Sequence, residues 1–257
     1  MTRFSPPIIH QCPACAGYVA RHALISMFMD GLDHWSDGCS SGVWNFMHGP
    51  VARCPQCAAV FWWEDTPEVQ RLTWAPRSIG PIMRALTWLT GDRSGRLKEL
   101  REWQAIADNL KTAERADTPD YVDLFRALAQ LDPSKPDREI YLRRRIWWIA
   151  SDHLRHRNPK AVMESQPAVP EGEAIANILR LLELFEHDMK HQVERGELLR
   201  QLGRFDEAVA VLKAVKPDGY SEVKAMKIER LARARDSALR LLSGGEVERQ
   251  YQRSRVW

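Results

Sequence analysis

Several features are missing from this 257-residue chain. No apolar run approaches the roughly 18 residues that a membrane-crossing helix needs, so a membrane-embedded protein is not expected. The opening MTRFSPPIIHQCPACAG lacks the charged-then-apolar build of a secretory leader, and a cytoplasmic location is the expectation. Charge of one sign is not in excess either: 37 Lys and Arg stand against 34 Asp and Glu. Residues 1–90 hold six Arg and six acids, 91–160 fifteen bases and twelve acids, and 161–257 sixteen of each. Nucleic-acid binders usually gather their bases in one stripe, so no polyanion partner is demanded. Only 224–257 is locally basic, with nine Lys and Arg against four acids, and a solvated helix face explains that equally well. There is no P-loop, GxGxxG, GxSxG or HExxH. With 44% hydrophobic and 28% charged residues, the chain falls in the ordinary globular range, which excludes a disordered or fibrous protein.

Cysteine is scarce, but four of the five form two copies of one motif, Cys12-Pro13-Ala14-Cys15 and Cys54-Pro55-Gln56-Cys57. Reducing compartments disfavour a disulfide framework. Two CPxC pairs supply the four soft thiolates of a tetrahedral zinc centre. Two intervening residues let the chain turn tightly, so that both sulfurs face one ion while backbone N–H groups donate to them. Proline after the first cysteine holds φ near −65°, which suits that turn. Cys12, Cys15, Cys54 and Cys57 are therefore the expected metal ligands. A 60-residue segment buries too little surface to be more than marginal, so metal could decide whether residues 8–65 fold. Four thiolates around Zn²⁺ leave a charge of −2, which Arg21 and Arg53, close in sequence, could offset.

Iron is the less favoured alternative with the same ligands. Cys12-Pro13-Ala14-Cys15-Ala16-Gly17-Tyr18 resembles the first knuckle of rubredoxins, which would imply electron transfer. That family usually carries glycine directly after the second cysteine, for a positive φ; Ala16 and Ala58 stand there in this chain. A redox dithiol normally shows one CxxC at a βαβ turn, and no such pattern is present. Cys39 reads as a small buried apolar residue.

Between the knuckles, Asp30, Asp33, His34 and Asp37, flanked by His22 and His48, could form a second metal or acid–base site. The plainer reading is that Asp30-Gly31 and Asp37-Gly38 mark turns, the second a hairpin. Met27, Phe28, Trp35, Trp44, Phe46, Phe61, Trp62 and Trp63 crowd the same region, and Val60–Trp63 reads as a strand. A zinc ribbon's small sheet cannot bury so many rings, so some are expected to pack on the helical part as one continuous body.

From residue 66 onward the punctuation is helical. Thr66-Pro67 and Thr118-Pro119 look like N-caps followed by proline at the first helical position. Leu100, Trp103, Ala107 and Leu110 recur as one buried helix face. Pro136 opens a helix carrying Arg143-Arg144-Arg145-Ile146-Trp147-Trp148. Successive helical residues lie about 100° apart, so the three arginines cannot form one flat patch. One or two are expected to pair with acids on neighbouring helices while Trp147 or Trp148 fills the core. Residues 158–170 read as a loop, and helices resume at 171–187.

Residues 189–215 contain Gly196-Glu197-Leu198-Leu199-Arg200-Gln201-Leu202-Gly203-Arg204-Phe205-Asp206-Glu207-Ala208 and resemble one tetratricopeptide repeat. The resemblance implies that Gly196 is the small position where helix A meets helix B. Leu199 is then a large apolar position, Gly203 and Phe205 form the turn, and Ala208 with Leu212 makes the helix B contact. Gln192 and Arg195 depart from the family's apolar positions early in helix A. A long helix, 221–242, is expected to follow and could cap the array.

The whole arrangement resembles a bacterial family of uncharacterised activity. It joins a CPxC…CPxC ribbon and aromatic strand to an arginine–tryptophan helix and a repeat-like C-terminus. The resemblance implies zinc and helical repeats, and no activity. The expected fold is mainly α with a small β zinc ribbon, divided into 1–65 (ribbon), 66–160 (helical) and 171–245 (tetratricopeptide-like hairpins). The expected function is a non-catalytic adaptor or scaffold whose helical groove holds a protein or peptide. The alternatives are a nucleic-acid-binding ribbon protein, a rubredoxin-like iron protein, or a metal-dependent enzyme using the Asp/His insertion.

Overall fold

The computed structural model describes residues 3–26, 33–40, 49–76, 80, 95–155, 168–216 and 220–243. Contacts divide the chain into two compact units, one from Met1–Phe28 and Phe46–Pro119, the other from Met29–Asn45 and Asp120–Trp257. About half of the described residues are helical, and the strands are short.

The first unit is built on two hairpins. Strands β2 (Ile8–Gln11) and β3 (Tyr18–Arg21) pair antiparallel with Gln11 opposite Tyr18. Strands β6 (Val51–Arg53) and β7 (Val60–Trp62) pair with Arg53 opposite Val60. A shorter pair joins β1 (Arg3–Phe4) to β4 (Leu24–Ser26). The β2–β3 hairpin grows into a four-stranded sheet in the order β8-β2-β3-β9, with β8 at Glu68–Arg71 and β9 at Glu114–Arg115. The residues that follow β9 stitch the two hairpins together. Ala116 N–H donates to Ala20 (3.2 Å), and Arg53 and Asp117 exchange both backbone hydrogen bonds at 3.0 Å.

Side chains alternate across a strand, and this hairpin is covered on both faces. Ile9 and Ala20, which pair, pack with Leu72 and Leu110, against which Trp103 and Ile106 lie half-buried. Val19, one residue on, joins Cys12, Ala52, Cys54, Phe61, Trp63 and Ala116 on the other side. Helices α1 (Arg96–Ala105) and α2 (Asp108–Lys111) lie between β8 and β9 in the chain.

Two expectations are corrected here. Thr66-Pro67 opens β8 and not a helix; the Thr66 hydroxyl donates to Trp63 O at 2.8 Å, ending a single 3₁₀ turn at Trp63–Asp65. The stretch from Leu100 to Leu110 is not one helix face. Ile106 and Ala107 are extended, with ψ of 135° and 140°, so the chain breaks into α1, which has no fully buried residue, and α2.

Among the described residues, the second unit contains the remaining helices and one hairpin. Helix α3 (Tyr121–Ala129) starts two residues later than Thr118-Pro119 suggested. Asp120 is its N-cap, in a capping box with Asp123, which satisfies two otherwise unpaired groups of the first turn. Helix α4 (Pro136–Ser151) begins at Pro136 as expected. Then come α5 (Glu171–Leu184), α6 (Gln192–Gln201), α7 (Phe205–Lys213) and α8 (Tyr220–Arg233). The last of these ends nine residues short of the expected 242; the chain turns through Arg235, with φ 54°, into β10 (Leu241–Ser243), which pairs with β5 (His34–Trp35).

Each helix from α3 to α7 packs on its successor, and α8 packs on both α6 and α7. The core draws on Ile140 and Trp147 from α4, Leu181 and Leu182 from α5, and Leu198 and Leu199 from α6. Phe185, Ala208 from α7 and Ala232 from α8 complete it. The α6–α7 turn is a Schellman motif. Gly203 has φ 75°, its N–H reaches Arg200 O (3.0 Å), and the Arg204 N–H reaches Leu199 O (2.9 Å). Gly196 is required by close approach: a methyl group there would overlap Leu212 of α7. Of the expected loop at 158–170, residues 158–167 lie outside the described residues.

Candidate metal centre

Each CPxC motif is the tip of a hairpin, and the two tips have the same local structure. In the first, Cys12 N–H donates to Gly17 O (2.8 Å) and Ala16 N–H to Cys12 O (2.9 Å); in the second, Cys54 N–H donates to Ala59 O and Ala58 N–H to Cys54 O, both at 2.9 Å. Ala16 and Ala58 both have φ 58°. A residue with a Cβ resists this left-handed conformation by roughly 1–2 kcal/mol. Both alanines adopt it, so the knuckle reaches the geometry for which rubredoxins usually carry glycine.

The four sulfurs converge, all lying within 4.8 Å of one another. Across the knuckles, Cys12 Sγ is 3.7 Å from Cys57 Sγ, and Cys15 Sγ is 3.8 Å from Cys54 Sγ. Sulfurs at about 2.3 Å from a tetrahedral zinc ion lie about 3.8 Å apart. A disulfide would require about 2.05 Å. The donor set and its spacing therefore fit one tetrahedral metal ion, with Cys12, Cys15, Cys54 and Cys57 as ligands.

The first cysteine of each knuckle is buried and the second exposed. Burial pushes the Cys54 thiol up to about 12, so it serves as a ligand only with a cation to hold its thiolate. Backbone N–H groups oppose that cost: those of Cys57 and Gln56 point at Cys54 Sγ, and that of Gly17 lowers the Cys15 thiol. These are the backbone donors the motif implied.

Sequence reasoning missed Gln56, the variable residue of the second motif. Its Nε2 donates to Tyr18 O across the hairpins (3.0 Å), and its Oε1 lies 3.7 Å from Cys54 Sγ and 3.9 Å from Cys15 Sγ. Any side chain at Gly17 would collide with it. Nothing local in the sequence marks this role. The arginines expected to offset the thiolates have other partners. Arg53 faces Asp117 at 3.9 Å, and the Arg21 guanidinium lies 5.2 Å over the Trp63 ring.

The Asp/His insertion does not assemble a second centre among the described residues. Residues 27–32 and 41–48, which include Asp30, Trp44, Phe46 and His48, lie outside them. Asp37-Gly38 is the hairpin turn the sequence suggested, with Gly38 at φ 86° and its N–H on Trp35 O (2.9 Å). Asp37 is fully buried in an ion pair with Arg155 and accepts from Cys39 N–H (3.0 Å). His34 bonds Ser40 Oγ (2.8 Å) and His22 faces Ser5 O (3.3 Å). Cys39 is buried, in the second unit.

The arginine run is committed internally. Arg143 donates to Glu139 (2.8 Å) and Arg144 to Glu194 (2.8 Å), while burial lowers the pKa of Arg145. Trp147 fills the core and donates to Gln201 Oε1 (2.9 Å). Among the described residues no helix is long and apolar enough to cross a membrane.

Compared with protein-family models, with curated proteins and with solved structures, the chain matches none of them.

Proposed function

We propose that the chain is a non-catalytic zinc protein whose metal is structural and whose helical unit binds a protein or peptide. The observation that carries this reading is the four-sulfur cluster with its tetrahedral spacing. Four protein thiolates complete a zinc shell and leave no position for the water that catalytic zinc requires. Zinc, in this reading, joins two hairpins whose strands are too short to stand alone. Inductively coupled plasma analysis of the purified chain should find about one zinc per molecule in a colourless solution. A red protein absorbing in the visible would assign iron and overturn the zinc reading.

Support for the helical part comes from the α6–α7 turn and the contact of Gly196 with Leu212, which suit a tetratricopeptide-like hairpin. Support for a protein partner comes from apolar side chains left in water. Ile175 and Leu179, one turn apart on α5, are 42% and 45% exposed. Residues four apart share a helix face, and paired apolar groups of this kind suit a partner's apolar segment. Photo-crosslinking from position 179, in the native background and in the presence of Ile175→Asp, tests this. A crosslinked protein lost in the variant at unchanged melting temperature is expected; equal capture by both would overturn it.

A further inference from the structure

Helix α5 carries apolar residues over a wider arc than the core uses. One side of it is fixed. Leu181 and Leu182 enter the core with Phe185, the Asn177 amide donates to Arg143 O (2.8 Å), and Arg180 donates to Glu139 (2.9 Å). Ile175 and Leu179 are left outside that arc. They stand in an i, i+4 row that reads Glu171, Ile175, Leu179, Glu183, and all four are exposed. Such a row turns about 40° per step and runs about 18 Å along the helix. Beside it lie Gly172 and Ala176, both exposed, and a Cβ on Gly172 would meet nothing within 4 Å. The apolar pair is therefore a ridge bordered by a shallow open strip, with a carboxylate at either end.

The whole chain is nearly balanced in charge, but this stretch is not. From Glu171 to Lys190, five acids (Glu171, Glu173, Glu183, Glu186 and Asp188) stand against two bases, Arg180 and Lys190. Arg180 is engaged with Glu139 and Glu183, and Arg195 reaches Glu186 O at 3.4 Å. Glu171, Glu173 and Glu186 are exposed and pair with no cation among the described residues. The helix dipole accounts for Glu171, which sits at the N-terminus of α5. It does not account for Glu183 in the last turn or Glu186 just beyond it. They stand at the negative end, where a base is the usual complement and α5 has none.

Acids at the carbonyl end of a helix, beside apolar groups left in water, give the fold nothing by themselves. We propose that this row docks a basic amphipathic helix of a partner protein. Two apolar residues of that helix lie against Ile175 and Leu179, with Lys or Arg beside Glu171 at one end and beside Glu183 and Glu186 at the other. The proposal rests on the partner reading above and names the chemistry of that partner. An extended strand has no free backbone edge to pair with on α5, whereas the side-chain ridge of a helix fits the strip at Gly172 and Ala176. An acidic partner would be repelled, and a neutral one would leave the carboxylates unused.

The test uses the full chain as purified and two fluorescein-labelled peptides about 18 residues long, enough to span the row with a turn to spare. The peptides share one leucine stripe and differ only in their polar face, lysine in one and glutamate in the other. By fluorescence anisotropy the lysine peptide should bind saturably, about tenfold or more tightly than the glutamate peptide, and more weakly as salt rises. Ile175→Ser/Leu179→Ser should weaken it about tenfold or more, and Glu171→Gln/Glu186→Gln about threefold or more. Glu99→Gln/Glu102→Gln, at exposed carboxylates of α1, should leave it unchanged, which separates a docking row from general attraction between charges. The substituted positions are all exposed, so each variant should keep the wild-type melting temperature. Equal binding of the two peptides, or wild-type affinity in Glu171→Gln/Glu186→Gln, would overturn the proposal. If the lysine peptide does not bind while the crosslinker at position 179 still captures a protein, the basic class falls and the partner reading stands. Self-association of the chain that disappears in Ile175→Ser/Leu179→Ser would assign the row to a second copy and likewise overturn the proposal.

Discussion

Stripping the metal from the sulfur cluster should unfold the first unit around it. The large side chains packed beside the cysteines are Val19, Phe61 and Trp63. At about 1.5–3 kcal/mol for each buried side chain they supply roughly 5–9 kcal/mol in all. Ordering a residue costs about 1–2 kcal/mol of backbone entropy, and the two hairpin tips order a dozen residues, 12–17 and 54–59, that add no other large apolar burial. A tetrathiolate zinc site contributes on the order of 10–16 kcal/mol in small modules. The metal therefore outweighs the local core, and its loss should cost more than about 4 kcal/mol of local stability. Hydrogen exchange read by mass spectrometry resolves this, with metal removed by a chelator under reducing conditions and its absence verified by elemental analysis. Peptides covering 8–21 and 51–63 should lose about a thousandfold or more in protection, while peptides covering 171–201, which have their own core, keep theirs. Undiminished protection at 51–63 in verified metal-free protein would refute the reasoning.

Cys39→Ser should leave metal content unchanged in elemental analysis, because Cys39 belongs to the other unit; loss of metal would place it in the site. Gly196→Ala should destabilise by about 1–3 kcal/mol in urea unfolding, since overlap with Leu212 exceeds the helix-propensity gain of about 1 kcal/mol; a stabilised variant would disprove the close α6–α7 packing. Arg200→Met should cost about 3–5 kcal/mol, because it strands a fully buried Glu197, whereas Glu197→Met/Arg200→Met together should recover most of the loss in a double-mutant cycle. Glu139 is held below the usual carboxylate range, chiefly by its hydrogen bond from Arg180 and also by Arg143. That contribution is complete above the unfolded value of about 4.3 and is lost as pH falls through the lower folded value. Acid unfolding of Glu139→Gln should therefore show a shallower loss of stability below about pH 4, and an unchanged acid limb would rule out the pairing.

Much of the metal centre was legible because a CPxC knuckle is a local object. Its turn, its backbone donors and the direction of its two sulfurs are set within six residues, and two copies imply a shared ion. The α4 start at Pro136, the Asp37-Gly38 turn and the Gly203 turn were legible for the same reason. The reading failed where partners came from far along the chain. Glu68–Arg71 follows a helix-like Thr-Pro pair, yet becomes a strand because Ile8 and Ile9 offer an open edge at which it pairs. Residues 114–117 carry no strand signal; their extended form comes from pairing with Val19, Ala20 and Arg53.

The amino-acid order alone marked the four cysteines that stand positioned to hold a metal ion, several of the tight turns, and Trp147 and Leu199 as core side chains. Tertiary structure alone decided the fate of the charges. Nothing in the sequence marks Glu197 and Arg200 as interior, yet they are wholly buried and joined by Ser36, 161 residues from Glu197. Lys224, from an unremarkable basic stretch, has its pKa lowered by burial and raised again by Glu194, Glu197 and Asp37 from distant segments. Covalent spacing governs the geometry of neighbours, whereas the energy of a charge depends on the solvent and partners around it, and those exist only after distant segments have packed.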